Sequence, residues 1–229
     1  MLPFFFDFRL LLWIAPALLL AGWAQWRVKS AFAAGSRLPA RLTGAAAARH
    51  ILDSAGATHV RIEPVAGNLT DHYDPATNVL RLSANVYGIQ SLAAVGIAAH
   101  EAGHALQAAA KSPLMAVRNA AALTANFGSG LGLVFFMIGV AIALQPLAWL
   151  GLVLFGATVF FQVVNLPLEI DASNRAKAQL QQLNIVPAAE MPAVNQVLNA
   201  AAWTYVAATL QSILTLLYYA SYLNNGSDD

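Results

Sequence analysis

Between Arg118 and Glu169 the chain carries no Asp, Glu, Lys or Arg, an uncharged run of 50 residues (119–168). One helical membrane pass needs about 20 apolar residues. The run is therefore too long for one pass and suits a hairpin of two, near 120–143 and 147–166. Gln145-Pro146 is the expected turn, because proline interrupts helical pairing. The segment 201–223 reads as a further span, with Trp203 at one edge and Tyr218, Tyr219 and Tyr222 near the other, as in an aromatic belt. Residues 9–26 read as the first span. The competing reading of that segment is a cleaved signal peptide, but Asp7 and Arg9 cancel before it and Arg27, Lys29, Arg37 and Arg41 follow it. Composition agrees: 59% of residues are apolar and only 10% charged, against roughly 45–50% and about 25% in soluble domains.

The expected architecture is thus a mainly α membrane protein, with about four transmembrane helices and a small α+β domain. Its order is a first transmembrane helix (1–26), a polar domain (27–118), a transmembrane hairpin (119–166), a polar helix (167–202), then a last transmembrane helix and tail (203–229). The hairpin puts 27–118 and 167–202 on one side, and that side holds eleven of the twelve Lys and Arg. The positive-inside rule makes it cytoplasmic. The tail, NNGSDD, is acidic. Net charge is +1, so there is no broad field for nucleic acid. Cysteine is absent, which excludes disulfide scaffolds, thiolate zinc sites and cysteine nucleophiles.

Within the polar domain, Thr43 is a plausible N-cap and Gly56 a C-cap for a helix between them. Residues 60–65 and 78–83 look like short strands. The linker 66–77 contains Asp71, His72 and Asp74 and reads as turn chemistry. A helix is expected over about 86–110, capped by Ser83 or Ser91.

That last helix holds His100-Glu101-Ala102-Gly103-His104, an HExxH motif. Positions i and i+4 share one helical face, so both imidazoles can reach one metal. Neutral imidazole suits Zn2+. Glu101, one residue round the helix, can miss the metal yet act as general base on a water whose pKa the metal lowers towards about 7. The small residues at 102 and 103 allow close packing. A catalytic zinc needs a third protein ligand. The metzincin pattern fails, since Gln107 and Ala110 stand where Gly and His are required. The site-2 pattern fails for lack of a downstream Asp-Gly. Glu169, which ends the uncharged run, is the candidate third ligand, with Glu190 and Asp171 as rivals. Asp171 could instead hold a ligand imidazole from behind. Arg175, His72 and Tyr87 are candidates for stabilising an oxyanion. By analogy with zincins, residues 78–83 are expected to be an edge strand that pairs with an extended peptide.

The stretches GNLTDHYDP (67–75), VLRLSANVYG (79–88), SLAAVGIAAHEAGHALQ (91–107) and NLPLEIDASNRA (165–176) closely resemble the YugP-type family of bacterial membrane zinc metallopeptidases. The resemblance implies His100, His104 and Glu169 as ligands of one Zn2+ per chain, and Glu101 as catalytic acid and base. The site is more distantly similar to the HtpX-type and CAAX-processing membrane proteases. There an Asp usually follows the ligand Glu by four residues, whereas here that position is Ser173. Asp171 or Ser173 would then substitute. The implied function is a membrane-bound zinc endopeptidase of the bacterial plasma membrane, with its site on the cytoplasmic side. Its implied partners are the bilayer and a peptide or protein substrate, membrane proteins included. No motif encodes the substrate or the oligomeric state. Two alternatives remain. A catalytically silent metal-binding scaffold or chaperone-like factor would have no use for Glu101. An intramembrane site-2-type protease would make 86–110 a span and worsen the distribution of basic residues.

Overall fold

The computed structural model describes residues 8–225. Asp7 and the acidic end of the tail lie outside them. The chain is mainly helical, with one small sheet, in the order α1 (Phe8–Ser36), α2 (Gly44–Ser54), β1 (Arg61–Val65), β2 (His72–Asp74), β3 (Val79–Ser83), α3 (Ala84–Tyr87), α4 (Leu92–Ala109), α5 (Pro113–Ala141), α6 (Gln145–Gln182) and α7 (Met191–Asn225). The described residues divide into two compact units: 24–115 with 168–203, and 8–23, 116–167 and 204–225.

The apolar unit is built from parts of α1, α5, α6 and α7. Among the described residues three helices, α1, α6 and α7, are long and apolar enough to cross a membrane, and α5 carries the shorter apolar segment Gly128–Ala141. This unit leaves Leu12, Leu19, Val134, Val153 and Phe160 exposed, an apolar surface that suits lipid tails better than water. Its helices α5 and α6 meet at glycines: a Cβ on Gly132 or Gly151 would run into the backbone of the facing helix. Small residues of this kind let membrane helices approach closely. The turn between these helices comes slightly earlier than expected. It passes through Ala143, whose φ is 55°, while Gln145 and Pro146 open α6. Proline suits a first helical turn because its missing N–H has no partner there anyway.

The polar unit joins α2, α4, the sheet and the flanking ends of α6 and α7 through a shared core. Ile51 and Leu52 of α2, Leu80 and Leu82 of β3, Val95, Ala98 and Ala102 of α4, Leu180 of α6 and Val194 of α7 form one core. Thr43 caps α2 by accepting from the Ala46 N–H (3.2 Å). Gly56, just past the helix, takes φ +72°, which glycine adopts without strain. Helix formation over 86–110 is interrupted. A single turn, α3, ends before Gly88, and α4 starts anew with Ser91 as N-cap, accepting from the Ala94 N–H (3.2 Å). Ser83 sits at the start of α3, but its hydroxyl bonds the Asp71 carboxylate instead.

Two expectations about the sheet are corrected. Its order is β1-β3-β2, with β3 parallel to β1 and antiparallel to β2. Residues 78–83 therefore form the centre of the sheet, and both of their backbone edges are already used. The near-complete burial of Val79, Leu80, Leu82 and Ser83 fits a central position. The linker 66–77 is also more than a turn, since it contains β2. Asp74 behaves as turn chemistry predicts, accepting from the Ala76 N–H (2.9 Å) and the Thr77 hydroxyl (2.6 Å). These bonds, with Arg81, hold its carboxyl down to about 2. Asp71 instead reaches across to the Ser83 N–H (2.7 Å) and ties the linker to the end of β3.

Candidate metal centre

Helix α4 carries His100, Glu101 and His104, and α6 carries Glu169. What sets their spacing is Gly103, whose face lies against the backbone of Ala172, close enough that a Cβ would stand 2.5 Å from the Ala172 carbonyl oxygen. At that separation one oxygen of Glu169 lies 3.2 Å from Nε2 of His100 and 3.4 Å from Nε2 of His104. All three groups offer ligand atoms within 4.8 Å of one another. A tetrahedral zinc with arms of about 2.0–2.1 Å spaces its ligand atoms about 3.4 Å apart, so the two imidazole–carboxylate distances are those of adjacent corners. Glu169 is buried, and the imidazoles nearly so.

The outer nitrogens of both rings are held. Nδ1 of His100 lies 3.0 Å from the Ser173 hydroxyl, and Nδ1 of His104 lies 3.0 Å from Oε1 of Gln107. The Gln107 amide is oriented by its other end, which donates to the Leu168 carbonyl (2.8 Å) and to Asp171 (2.7 Å). Its oxygen must then face His104. An amide oxygen only accepts, so Nδ1 of His104 is the protonated nitrogen and Nε2 of the neutral ring presents a lone pair. That lone pair faces a carboxylate oxygen. A proton or a metal cation between these two electron-rich atoms relieves their repulsion, and the donor set of two imidazoles and one carboxylate suits zinc. Within the protein alone the same demand shows in His104: burial opposes its charging, but Glu169, Glu101 and Gln107 outweigh burial and raise its pKa.

Glu101 is outside this triangle of ligand atoms. It is buried, and one carboxylate oxygen accepts the Tyr73 N–H of β2 (3.1 Å). An edge strand thus fixes its orientation beside the cluster.

Of the rivals, Asp171 lies behind the site, bonded to Gln107 and to Nε of Arg175 (2.7 Å), and Glu190 is exposed. Arg175 is committed to Asp171. His72 is exposed on β2 and hydrogen-bonded to the Thr70 carbonyl (2.8 Å). Tyr87 packs against the core. Ser173 is brought to His100. Gln107 has a place in the site that its role as a failed metzincin position did not suggest. The signal was its spacing, three residues past His104 on the same helical face.

The comparisons with known proteins agree with the resemblance read from the four sequence stretches. The family described as "Putative neutral zinc metallopeptidase" matches residues 10–224. The chain is 44% identical over 215 residues to the "Putative membrane protease YugP" of Bacillus subtilis (strain 168), a match covering 93% of this chain and 96% of that one. No solved structure matches.

Proposed function

We propose, from the premise that this chain belongs to that neutral zinc metallopeptidase family, that it is a membrane-bound endopeptidase with one Zn2+ held by His100, His104 and Glu169. The observation that carries the reading is the convergence of these three groups with a buried, separately anchored Glu101 beside them. Zinc, when bound, would polarise the scissile carbonyl and lower the pKa of a water. Glu101 would serve as the base that accepts a proton from the attacking water and the acid that returns it to the leaving amine. Its bond from the Tyr73 N–H keeps the carboxylate aimed without adding charge. Ser173 and Gln107 orient the imidazoles from behind. The substrate is a peptide or protein, membrane proteins included.

In this reading α5 is a fourth membrane span beside α1, α6 and α7. Residues 27–118 and 167–202 are cytoplasmic parts of a bacterial plasma-membrane protein, supported by their eleven basic residues, and the domain they form is zincin-like. The scaffold alternative gains no support, because a structural metal needs no adjacent general base. The test is Glu101→Gln in detergent-purified protein. It should keep its zinc and lose about 10²–10⁴-fold in peptide hydrolysis. Wild-type turnover in that variant would remove Glu101 from the mechanism.

A further inference from the structure

Gln107 is completely buried, and a buried amide is costly unless its hydrogen-bonding capacity is met. Three bonds meet it, and each has a direction. The amide nitrogen uses both hydrogens, on the Leu168 carbonyl and the Asp171 carboxylate. Asp171 is itself held by Arg175 one turn further along α6. The remaining oxygen is left for His104. Leu168 and Asp171 flank Glu169 on α6. The same side chain therefore ties one imidazole ligand on α4 to residues on either side of the carboxylate ligand.

From this geometry we infer that Gln107 is a positioning residue that sets the His104 tautomer and couples the His104 ring to the segment of α6 presenting Glu169. The inference rests on the zinc reading above. It assigns to a glutamine, three residues after the second histidine, the task that a carboxylate performs behind many zinc-bound imidazoles. Asp171 acts one bond further out, through Gln107, and does not touch the ring.

The test is zinc affinity, read by competition between purified apo-protein and a chromogenic chelator. The melting temperature of each apo-protein is measured alongside as a check on folding. Gln107→Met keeps length and volume but has no acceptor of comparable strength, and should weaken zinc binding about 10–100-fold. Gln107→Glu keeps an oxygen for Nδ1 and, protonated, a donor for Asp171. It should stay within about fivefold of wild type. A packing role predicts the opposite order, because methionine suits an apolar interior and a second acid beside Asp171 does not. If Gln107→Met does not fold, Gln107→Asn takes its place. Its amide falls a methylene short of His104, and the same loss is expected. Unchanged affinity in the methionine or asparagine variant, or weaker binding by Gln107→Glu than by Gln107→Met, overturns the inference and leaves the metal site standing. A wild-type protein that binds no zinc overturns both.

Discussion

Replacing Gly103 by alanine should damage the site while improving the helix that carries it. An alanine Cβ would stand 2.5 Å from the Ala172 carbonyl oxygen, where ordinary contact begins near 3.4 Å. The obstacle is backbone, so no rotamer change relieves it, and α4 and α6 must part by about 0.9 Å. Helix propensity favours alanine over glycine by about 0.8–1 kcal/mol. Overpacking of this kind costs about 1–3 kcal/mol. The net effect on folding is then a loss of at most about 2 kcal/mol, small enough for the variant to fold. The site suffers more. The imidazole–Glu169 distances of 3.2 and 3.4 Å span the opening gap, and so does the Ser173 bond to His100. Zinc affinity should fall about 10–100-fold, and peptide hydrolysis about 100-fold or more, as expected for a misplacement of about 1 Å. Chelator competition and thermal unfolding in excess chelator read the two effects separately. A Gly103→Ala protein that melts higher than wild type and binds zinc equally well would refute the reasoning, because propensity would then be the whole effect.

Other outcomes follow from the same geometry. His104→Ala and Glu169→Gln should each lose zinc under conditions where wild type keeps it, measured by metal analysis after dialysis; full occupancy in Glu169→Gln would move the third ligand elsewhere. Protons compete with zinc for His104, whose pKa lies above the ordinary 6.5. The charged ring should therefore stabilise the apo-protein below pH of about 6.5, with that contribution lost as pH rises through the folded value. Zinc affinity should correspondingly decline with acidification from above that value, and a pH-independent affinity between 5 and 8 would contradict it. Leu82→Ala, in the buried centre of the sheet, should cost about 2–5 kcal/mol of polar-unit stability by denaturant unfolding. Single cysteines at the exposed positions Ser36 and Glu190 should resist an impermeant thiol reagent in intact cells, whereas one at Ile142, in the α5–α6 turn, should react; labelling at Ser36 would reverse the orientation.

Local rules carried the reading of the sequence where the relevant physics is local. A run without charges marks apolar helices whatever they pack against. An i, i+4 pair of histidines shares a face in any helix, and Thr43 and Ser91 cap helices through bonds spanning three residues. The strand order was not local. The edge position expected of residues 78–83 came from analogy with zincins, and nothing in them records that β1 and β2 occupy both sides. β2 itself, His72–Asp74, is too short and polar to show alternation, and its placement depends on Asp71 reaching Ser83 and Tyr73 reaching Glu101. The break at Gly88 divided a stretch read as one helix, 86–110, at a residue that is a weak helix former. Glu169 was legible because it is the first charge after 50 uncharged residues. Gln107 was legible only in its spacing from His104, because its other partners lie 61 and 64 residues away.

The metal shell is the feature on which the proposed chemistry depends. X-ray absorption at the zinc edge of the purified protein, compared with Glu169→Gln, examines it directly. Wild type should show one zinc per chain with two imidazoles at about 2.0–2.1 Å and oxygen ligands at about 2.0–2.2 Å, and the variant should lose either the metal or one oxygen of that shell. A protein that retains no zinc, or a shell that Glu169→Gln leaves unchanged, would contradict it.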